Sequence, residues 1–181
     1  DGIRDYKVTG VQTCALPIYH SRYSPLDGLI SLQDWIEVAK KNKWEFLALT
    51  DSDGVYGMMN FLELCRENQL KPIIGCALFS DQYYLTILSK KEKGLSALFH
   101  LISFHHQKPS RKLMQLELIK NSKDIIVFTD QICLLKELHL KVKGLFFEMT
   151  PGLFEHEDVM KVQEMGIPLI GTYRIRSEEH T

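Results

Sequence analysis

Residues 44–50, WEFLALT, form a short apolar run that ends in the polar residues DSDG at 51–54. A run of this length followed by turn-forming residues is typical of a buried β-strand and the loop after it. On its N-terminal side, SLQDWIEVAKKN (31–42) begins with a serine N-cap, has apolar residues at helical spacing and ends in basic residues. This pattern predicts an amphipathic helix. A helix leading into a buried strand is typical of an α/β fold.

The same alternation continues along the chain to residue 172. Further strands are predicted at 71–79, 83–89, 124–129, 144–150 and 167–172. Further helices are predicted at 55–68, 94–106, 113–120, 131–140 and 155–165. Short apolar strands separated by helices favour a single-domain α/β fold with a largely parallel sheet or barrel. In such folds the chemistry lies at the carboxyl ends of the strands.

Composition excludes several classes of protein. The chain has 181 residues, 22 Lys+Arg, 23 Asp+Glu, a formal net charge of -1 and 45% hydrophobic residues, which is typical of a soluble globular domain. A nearly neutral charge gives no global reason to bind nucleic acid or a membrane surface, and no apolar run reaches the roughly 18 residues needed to span a bilayer. Four cysteines without a C-x-x-C pair argue against a disulfide framework and favour a reducing cytoplasm.

Both ends of the chain resemble a translated sequencing adapter rather than natural protein. With one choice of codons for residues 13–18, the complementary DNA strand encodes RSEEHT, which is the sequence of residues 176–181. Unrelated protein termini are not expected to be reverse complements of each other. We therefore predict that residues 1–18 and 176–181 are adapter-derived and that the natural domain spans 19–175.

Two residues are candidate metal ligands: Asp51, at the end of a predicted strand, and His20, which precedes a probable turn. Carboxylate and imidazole groups both suit Zn, Mn or Fe, but a catalytic site needs three or more converging ligands and an open position. The alternative is that both residues are solvated turn residues. Replacing Asp51 with Ala is expected to change stability only slightly and activity not at all. Other polar or small residues at predicted strand ends are Ser52, Asp53, Cys76, Ala77, Thr129, Asp130, Glu148 and Thr172.

A group of basic residues follows the helix predicted at 94–106. His105 and His106 are adjacent, so on a helix their side chains point about 100° apart and do not easily share a metal. Lys108, Arg111 and Lys112 follow them, and this cluster is either a solvated connection or a contact for phosphate. The sequence contains no P-loop, G-x-G-x-x-G, G-x-S-x-G or H-E-x-x-H motif.

Several sequence blocks resemble one known family in both order and spacing. The blocks are HSRYSPLDG (20–28), LALTD (47–51), YG (56–57), KPIIGC (71–76) and GIPLI (166–170). Together they resemble the amino-terminal PHP (polymerase and histidinol phosphatase) domains of bacterial DNA polymerase III alpha subunits. The similarity is dense over 20–95, thin over 96–160 and returns at 166–172. It implies a distorted (β/α) barrel of the PHP type, incomplete because the first strand, which would precede His20, is missing.

The resemblance carries over only part of the family's metal cluster. His20 matches the second histidine of the opening H-x-H motif, whose first position falls in the adapter-derived segment. Asp51 matches the first residue of an Asp-His pair, but Ser52 stands in place of the histidine. Ala77 stands where the family has Glu, and Arg174 falls in the closing Asn-Asp-x-His region. The resemblance implies a degenerate metal site in which His20 and Asp51 are vestigial ligands, with no bound cofactor and no catalytic residue.

The resemblance also implies a role. The chain would be a fragment of a replicative, cytoplasmic DNA-directed DNA polymerase, inactive alone, with a structural or partner-binding function. Mg-dependent nucleotide transfer would lie elsewhere in the parent protein. The partners would be the remainder of the polymerase chain and, through the full-length subunit, the proofreading exonuclease, the sliding clamp and DNA, with no membrane. The alternative is a metal-dependent PHP phosphoesterase using Zn or Mn, either similar to histidinol phosphatase or a 3′–5′ exonuclease.

Overall fold

The computed structural model describes residues 14–16, 18–21, 24, 31–149 and 156–172. Within these residues, eight strands form one sheet in the order β1-β8-β7-β6-β5-β4-β3-β2. The strands are β1 (Cys14–Leu16), β2 (Ile18–Tyr19), β3 (Phe46–Ser52), β4 (Lys71–Ser80), β5 (Tyr83–Ser89), β6 (Ile125–Thr129), β7 (Leu145–Met149) and β8 (Leu169–Thr172). The helices are α1 (Leu32–Lys41), α2 (Met58–Glu67), α3 (Glu92–His106), α4 (Arg111–Asn121), α5 (Ile132–Leu138) and α6 (His156–Glu164). None of the helices described there combines the length and the apolar character needed to cross a bilayer.

The α/β alternation predicted from the sequence is confirmed, with one change in strand direction. β4 pairs antiparallel with β5, and β5 pairs antiparallel with β6, whereas the other strand pairs are parallel. Only residues 81 and 82 separate β4 from β5, and so short a turn can join only antiparallel neighbours. The β4–β5 hairpin therefore interrupts a sheet that is otherwise parallel.

The short strands β1 and β2 lie at the two edges of the curved sheet. β1 pairs with β8, and β2 pairs with β3. These two strands have three and two residues, whereas the six others have four to ten, so the wall of the barrel is incomplete at this point. The distorted, incomplete α/β barrel is thus confirmed. Strand pairing does not test whether residues 1–18 are natural protein, because it uses main-chain N–H and C=O groups that every residue type except proline carries in full. The adapter origin of these residues therefore stays a prediction.

Two apolar clusters show which face of each strand points inward. The inner cluster contains strand residues only and lies within the barrel: Ile18, Ala48, Leu88, Phe128 and Ile170, with Ile73, Ile126 and Phe146 against them. The larger outer cluster joins strand residues such as Leu47 and Leu49 to residues of the helices. Since successive side chains of a strand point to opposite faces, every second residue of each strand points into the barrel and the residues between them face the helices.

Helix α3 begins unusually close to the sheet. A Cβ atom placed on Gly94 would lie 2.3 Å from the backbone oxygen of Asp124 and 3.1 Å from the backbone of Ser89. The same region is joined by a hydrogen bond from the Lys90 N–H to the Asp124 oxygen, with a length of 2.8 Å. Glycine is required here because of this close approach of two backbones.

The thiols differ in accessibility, which gives a first testable prediction. Cys65 and Cys76 are buried and Cys133 is exposed. Burial raises the pKa of Cys65 to about 11. At about pH 8, Cys133 is expected to react with a maleimide while Cys65 and Cys76 stay unmodified, because the thiolate is the reactive form. Peptide mass mapping would measure this, and modification of Cys65 before denaturant is added would contradict it.

Candidate functional site

Asp51, near the carboxyl end of β3, is the centre of a buried hydrogen-bond cluster. Its side chain is 0% exposed. Oδ1 accepts hydrogen bonds from the Ser21 N–H (2.8 Å) and the Ser24 hydroxyl (3.0 Å), and Oδ2 accepts one from the Gly57 N–H (2.8 Å). Gly57 is the N-cap of α2, which has no side-chain cap of its own. The Asp51 carboxylate therefore supplies the missing cap and joins β3, α2 and the segment after β2.

The two candidate ligands, His20 and Asp51, lie at the same end of the sheet but at different levels. β2 pairs with β3 so that Tyr19 is opposite Leu49, and continuing this register by one residue places His20 level with Thr50. His20 is buried, with 7% exposure. Asp51 lies on the same face of β3 as Leu49, which belongs to the outer cluster. Its carboxylate is thus directed toward the N-terminus of α2 and away from the barrel interior.

A second buried carboxylate, Glu148 of β7, lies inside the barrel. It is 1% exposed and shares its face of β7 with Phe146, which packs against the inner cluster. The Thr172 hydroxyl donates to Glu148 Oε1 at 2.8 Å, and the Tyr84 hydroxyl lies 3.5 Å from Oε2. Tyr84 also bonds to the Thr86 hydroxyl at 3.0 Å. The interior thus carries a polar layer above its apolar one, and sequence reasoning had identified Glu148 and Thr172 only as strand ends.

The described residues do not match the metal-binding cluster that the family resemblance implies. Ser52 and Ala77 are register partners on β3 and β4 and offer a hydroxyl and a methyl group where a metal needs imidazole or carboxylate. Both oxygens of Asp51 already accept N–H or O–H donors, and Glu148 lies on the opposite face of the sheet. Among the residues that the structure describes, no three His, Cys, Asp or Glu side chains converge.

Asp53, two residues after Asp51, organises a separate cluster. Its φ of 53° is left-handed. Asp53 Oδ1 accepts the Phe79 N–H at 3.0 Å and lies 3.0 Å from His105 Nε2, while its backbone oxygen accepts from His106 Nε2 at 2.8 Å. His105 Nδ1 is 2.9 Å from the Tyr83 hydroxyl. The two adjacent histidines, expected to diverge at a helix end, therefore both contact Asp53, one at its carboxylate and the other at its carbonyl.

Burial dominates the electrostatics of this second cluster. It lowers the pKa of His105, against the opposing effect of the Asp53 carboxylate, and His106 lowers it further. Burial also raises the pKa of Tyr83 and of the nearby Cys76 thiol. A cavity of about 290 Å³ adjoins the cluster and is lined by Phe79, Ser80, Asp81, Gln82, Tyr83, His105, His106, Lys108 and Pro109. Solvent therefore has access to one edge of an otherwise buried histidine.

The basic residues after α3 show no common binding face. Arg111 forms an ion pair with Glu137 of α5, with Nη2 3.0 Å from the carboxylate, and Gln115 contacts the same carboxylate. Lys108 and Lys112 are exposed. These contacts agree with the first alternative, a solvated connection, in which Glu137 neutralises the charge of Arg111.

The described residues form a distorted α/β barrel. Its curved sheet is mostly parallel, with one antiparallel hairpin among those residues, and its helices lie on the outer face. A polar layer lies at the carboxyl ends of the strands. Residues 19–164 match the model of the PHP domain family. The chain belongs to the PHP domain family.

Relatives with curated names extend far beyond this chain. It is 36% identical over 99 residues to the DNA polymerase III subunit alpha of Treponema pallidum, an alignment covering 46% of this chain and 8% of that protein. It is 38% identical over 91 residues to the protein of the same name from Chlamydia trachomatis, covering 48% and 7%. The Staphylococcus aureus (strain Mu50) protein of that name is 25% identical over 147 residues, covering 78% and 13%. The chain thus spans about a tenth of the length of these relatives.

Solved structures share the fold at low sequence identity. One is a two-domain protein of Bacteroides vulgatus containing a predicted PHP-like metal-dependent phosphoesterase, with a TM-score of 0.66, 13% identity and coverage of 93% of this chain and 56% of that one. Another, from Bifidobacterium adolescentis, is described as a candidate metal-dependent phosphoesterase, with a TM-score of 0.53, 12% identity and coverage of 90% and 88%. At this identity the likeness shows the fold alone.

Proposed function

We propose that the chain is the PHP domain of a DNA polymerase III alpha subunit, with a degenerate metal site and a structural or partner-binding role. The observation that carries this proposal is the bonding of Asp51. Its carboxylate is fully buried and accepts three hydrogen bonds, which use three of its roughly four lone-pair sites and support a structural role. A metal ligand needs a lone pair directed at the ion.

Two neighbouring positions support the same conclusion. Ser52 and Ala77 lie side by side on β3 and β4, so the substitutions that the sequence shows in two separate motifs fall at one place in the barrel. A hydrolytic metal centre needs at least three protein ligands and an open position for water. The absence of a histidine and a glutamate at adjacent strand positions therefore favours the interpretation that this domain has kept the PHP fold but not the metal-dependent hydrolytic activity.

The wider role that we propose belongs to the parent protein, and the names of the relatives support it. There the chain would contact the remainder of a polymerase subunit in the bacterial cytoplasm, with Mg-dependent nucleotide transfer in another domain. The proofreading exonuclease, the sliding clamp and DNA would be met through the full-length subunit. The chain itself would have no catalytic residue and no cofactor, with His20 and Asp51 as remnants of a metal site.

The alternative is a metal-dependent phosphoesterase, either a histidinol phosphatase-like enzyme or a 3′–5′ exonuclease, holding Zn or Mn. One observation favours it: Glu148 places a buried carboxylate inside the barrel near the carboxyl ends of the strands. Metal content and hydrolysis separate the two functions.

We expect the purified 181-residue chain to contain much less than one equivalent of Zn or Mn by elemental mass spectrometry, because the described ligands do not converge. It should hydrolyse neither p-nitrophenyl phosphate nor a single-stranded DNA 3′ end when Mn is added. Stoichiometric metal together with metal-dependent hydrolysis, both lost in His20→Ala but kept in the exposed-site control His156→Ala, would establish the alternative instead.

A further inference from the structure

We propose that six lysines at the amino-terminal end of the barrel form a docking surface for the phosphate backbone of a nucleic acid duplex. These residues, which we call the lysine rim, are Lys90, Lys91, Lys93, Lys123, Lys141 and Lys143. The rim lies at the opposite end of the sheet from Asp51 and Glu148, so it requires no metal. The domain would thus contact a duplex itself, beyond the contacts that the proposed function gives to the full-length subunit.

Three neighbouring strands bring the rim together. β5 is antiparallel to β6, so its end lies beside the start of β6, and β7 starts on the far side of β6. The Lys90 N–H donates to the Asp124 oxygen at 2.8 Å, which joins the end of β5 to the start of β6. The segments that carry the lysines therefore meet at one end of the barrel: 90–93, 123–124 and 141–143.

The side chain of Lys90 crosses the rim. A Cβ atom placed on Gly144 would lie 3.0 Å from Lys90 Nζ and 3.0 Å from the Ile125 backbone oxygen. The ammonium group of a residue that follows β5 thus lies beside the chain that leads into β7. Because neighbouring strands are about 4.8 Å apart, the three strands that carry the six lysines span roughly 10 Å.

The rim concentrates positive charge in a chain that is nearly neutral as a whole. Its three segments carry six lysines and two carboxylates, Glu92 and Asp124, whereas the chain has a formal net charge of -1. All of the rim lysines except Lys90 are exposed. Within the part of the chain that the structure describes, none of the six forms an ion pair with a carboxylate. Their charges are thus available to an anion outside the chain.

The position of these lysines works against the stability of α3. Lys91 is the N-cap of that helix, has a left-handed φ of 84° and makes no side-chain cap bond. Serine, threonine, aspartate and asparagine are favoured at an N-cap, and the helix dipole opposes cations near a helix N-terminus. The rim nevertheless places three lysines at this helix start: Lys90, Lys91 and Lys93. Departures from the rules of local stability are expected at functional surfaces.

The residue types of the rim favour phosphate over a protein partner. Lysine is a hydrated point charge on a flexible stem, it is depleted in protein–protein interfaces, and its phosphate contacts do not depend on base sequence. Arginine, which pairs with carboxylates through two parallel hydrogen bonds, does not occur in the three segments. Nor do Phe, Tyr and Trp, on which the bases of a single strand would stack. The chemistry therefore fits the backbone of a duplex, which carries one charge per about 1.7 Å of its axis.

Fluorescence anisotropy of a labelled DNA duplex, titrated with the 181-residue chain, tests the rim. In about 50 mM NaCl we expect a Kd in the micromolar range, and a plot of log K against log salt concentration should have a slope of about -4. Absence of binding, or a slope near zero, would overturn the proposal. Since metal content and hydrolysis concern the other end of the barrel, duplex binding and the proposed function can fail separately.

Two competitors identify the class of partner. Poly-glutamate at an equal concentration of charge should displace the duplex poorly, because its charges are roughly twice as far apart along the chain. Equal displacement would instead assign the rim to an acidic protein. A single strand of the same sequence should also compete less well than the duplex, and tighter binding of the single strand would contradict the choice of a duplex.

Charge-matched variants separate the rim from general charge. Lys141→Gln combined with Lys143→Gln should weaken binding about tenfold and reduce the steepness of the salt dependence by about 2, because two phosphate contacts are lost. Lys108→Gln combined with Lys112→Gln is the control: both residues are exposed and lie beyond the far end of α3, which is about 22 Å long, so screening should keep the change in Kd below about twofold. Equal weakening by the two double variants would overturn the proposal. Lys123→Gln, in a separate segment, should reduce the steepness by about 1 and keeps the test valid if the first double variant does not fold.

Discussion

Replacing Asp51 with Ala is expected to lower the free energy of unfolding by about 4 kcal/mol, because it leaves buried donors without an acceptor. Three donors lose their partner, two of them backbone N–H groups and one a serine hydroxyl. Each bond to a charged acceptor is worth about 1.5–3 kcal/mol, and such contributions within one cluster are not additive. The structure thus replaces the slight effect expected from the sequence alone with a large one.

Urea unfolding followed by circular dichroism measures this change. Asp81→Ala is the matched control, since Asp81 is exposed in the turn between β4 and β5, and we expect it to change stability by less than about 0.5 kcal/mol. Asp51→Asn keeps the volume but turns an NH2 group toward one of the donors, so its loss should be intermediate. A loss below about 1 kcal/mol in Asp51→Ala would show that the carboxylate does not organise this end of the barrel.

Replacing Gly94 with Ala is expected to destabilise the protein by about 3 kcal/mol, because the added methyl group has no space. The effect has the opposite sign to that of an exposed helix position, where Ala is favoured over Gly by roughly 1 kcal/mol. At residue 94 the new Cβ would meet the Asp124 backbone oxygen at 2.3 Å, so either α3 or the start of β6 must move. Backbone atoms cannot rotate away as a flexible side chain can.

Gly171→Ala provides the control for Gly94→Ala. Gly171 lies in β8, and a Cβ atom built there meets nothing within 4 Å. This variant should therefore change stability by less than about 0.5 kcal/mol in the same thermal or urea measurement. Equal stability of the two variants would contradict the close approach of α3 to the sheet.

Local patterns in the sequence predict most of the secondary structure because they report local physics. Ser31 and the apolar spacing after it predict α1, and the side chain of Ser31 does cap that helix by accepting from the Asp34 N–H. The strand predicted at 83–89 is observed with the same bounds. The antiparallel direction of β5 could not be predicted in this way, since an apolar run shows the same pattern whether the neighbouring strand is parallel or antiparallel. Only the two-residue connection before it carried that information.

The candidate site was less predictable because its contacts join distant parts of the chain. Asp51 was identified from its place at a strand end, but its three partners depend on the register of β2 with β3 and on the position of α2. Asp53 and His105 are 52 positions apart, and no local pattern links them. The sequence therefore predicted which end of the barrel carries polar residues, but it could not predict which of them contact each other.

The inner apolar cluster sets an order of events during protein synthesis. Ala48 of β3 and Ile170 of β8 both belong to it, although 122 positions separate them in the chain. Strands close in sequence can pair as soon as they leave the ribosome, but a contact between distant residues must wait for both and costs more chain entropy. Of the strands described here, β8 is made last. A nascent chain that ends before residue 169 would therefore lack Ile170 and leave Ala48, Leu88 and Phe128 of the inner cluster exposed to chaperones.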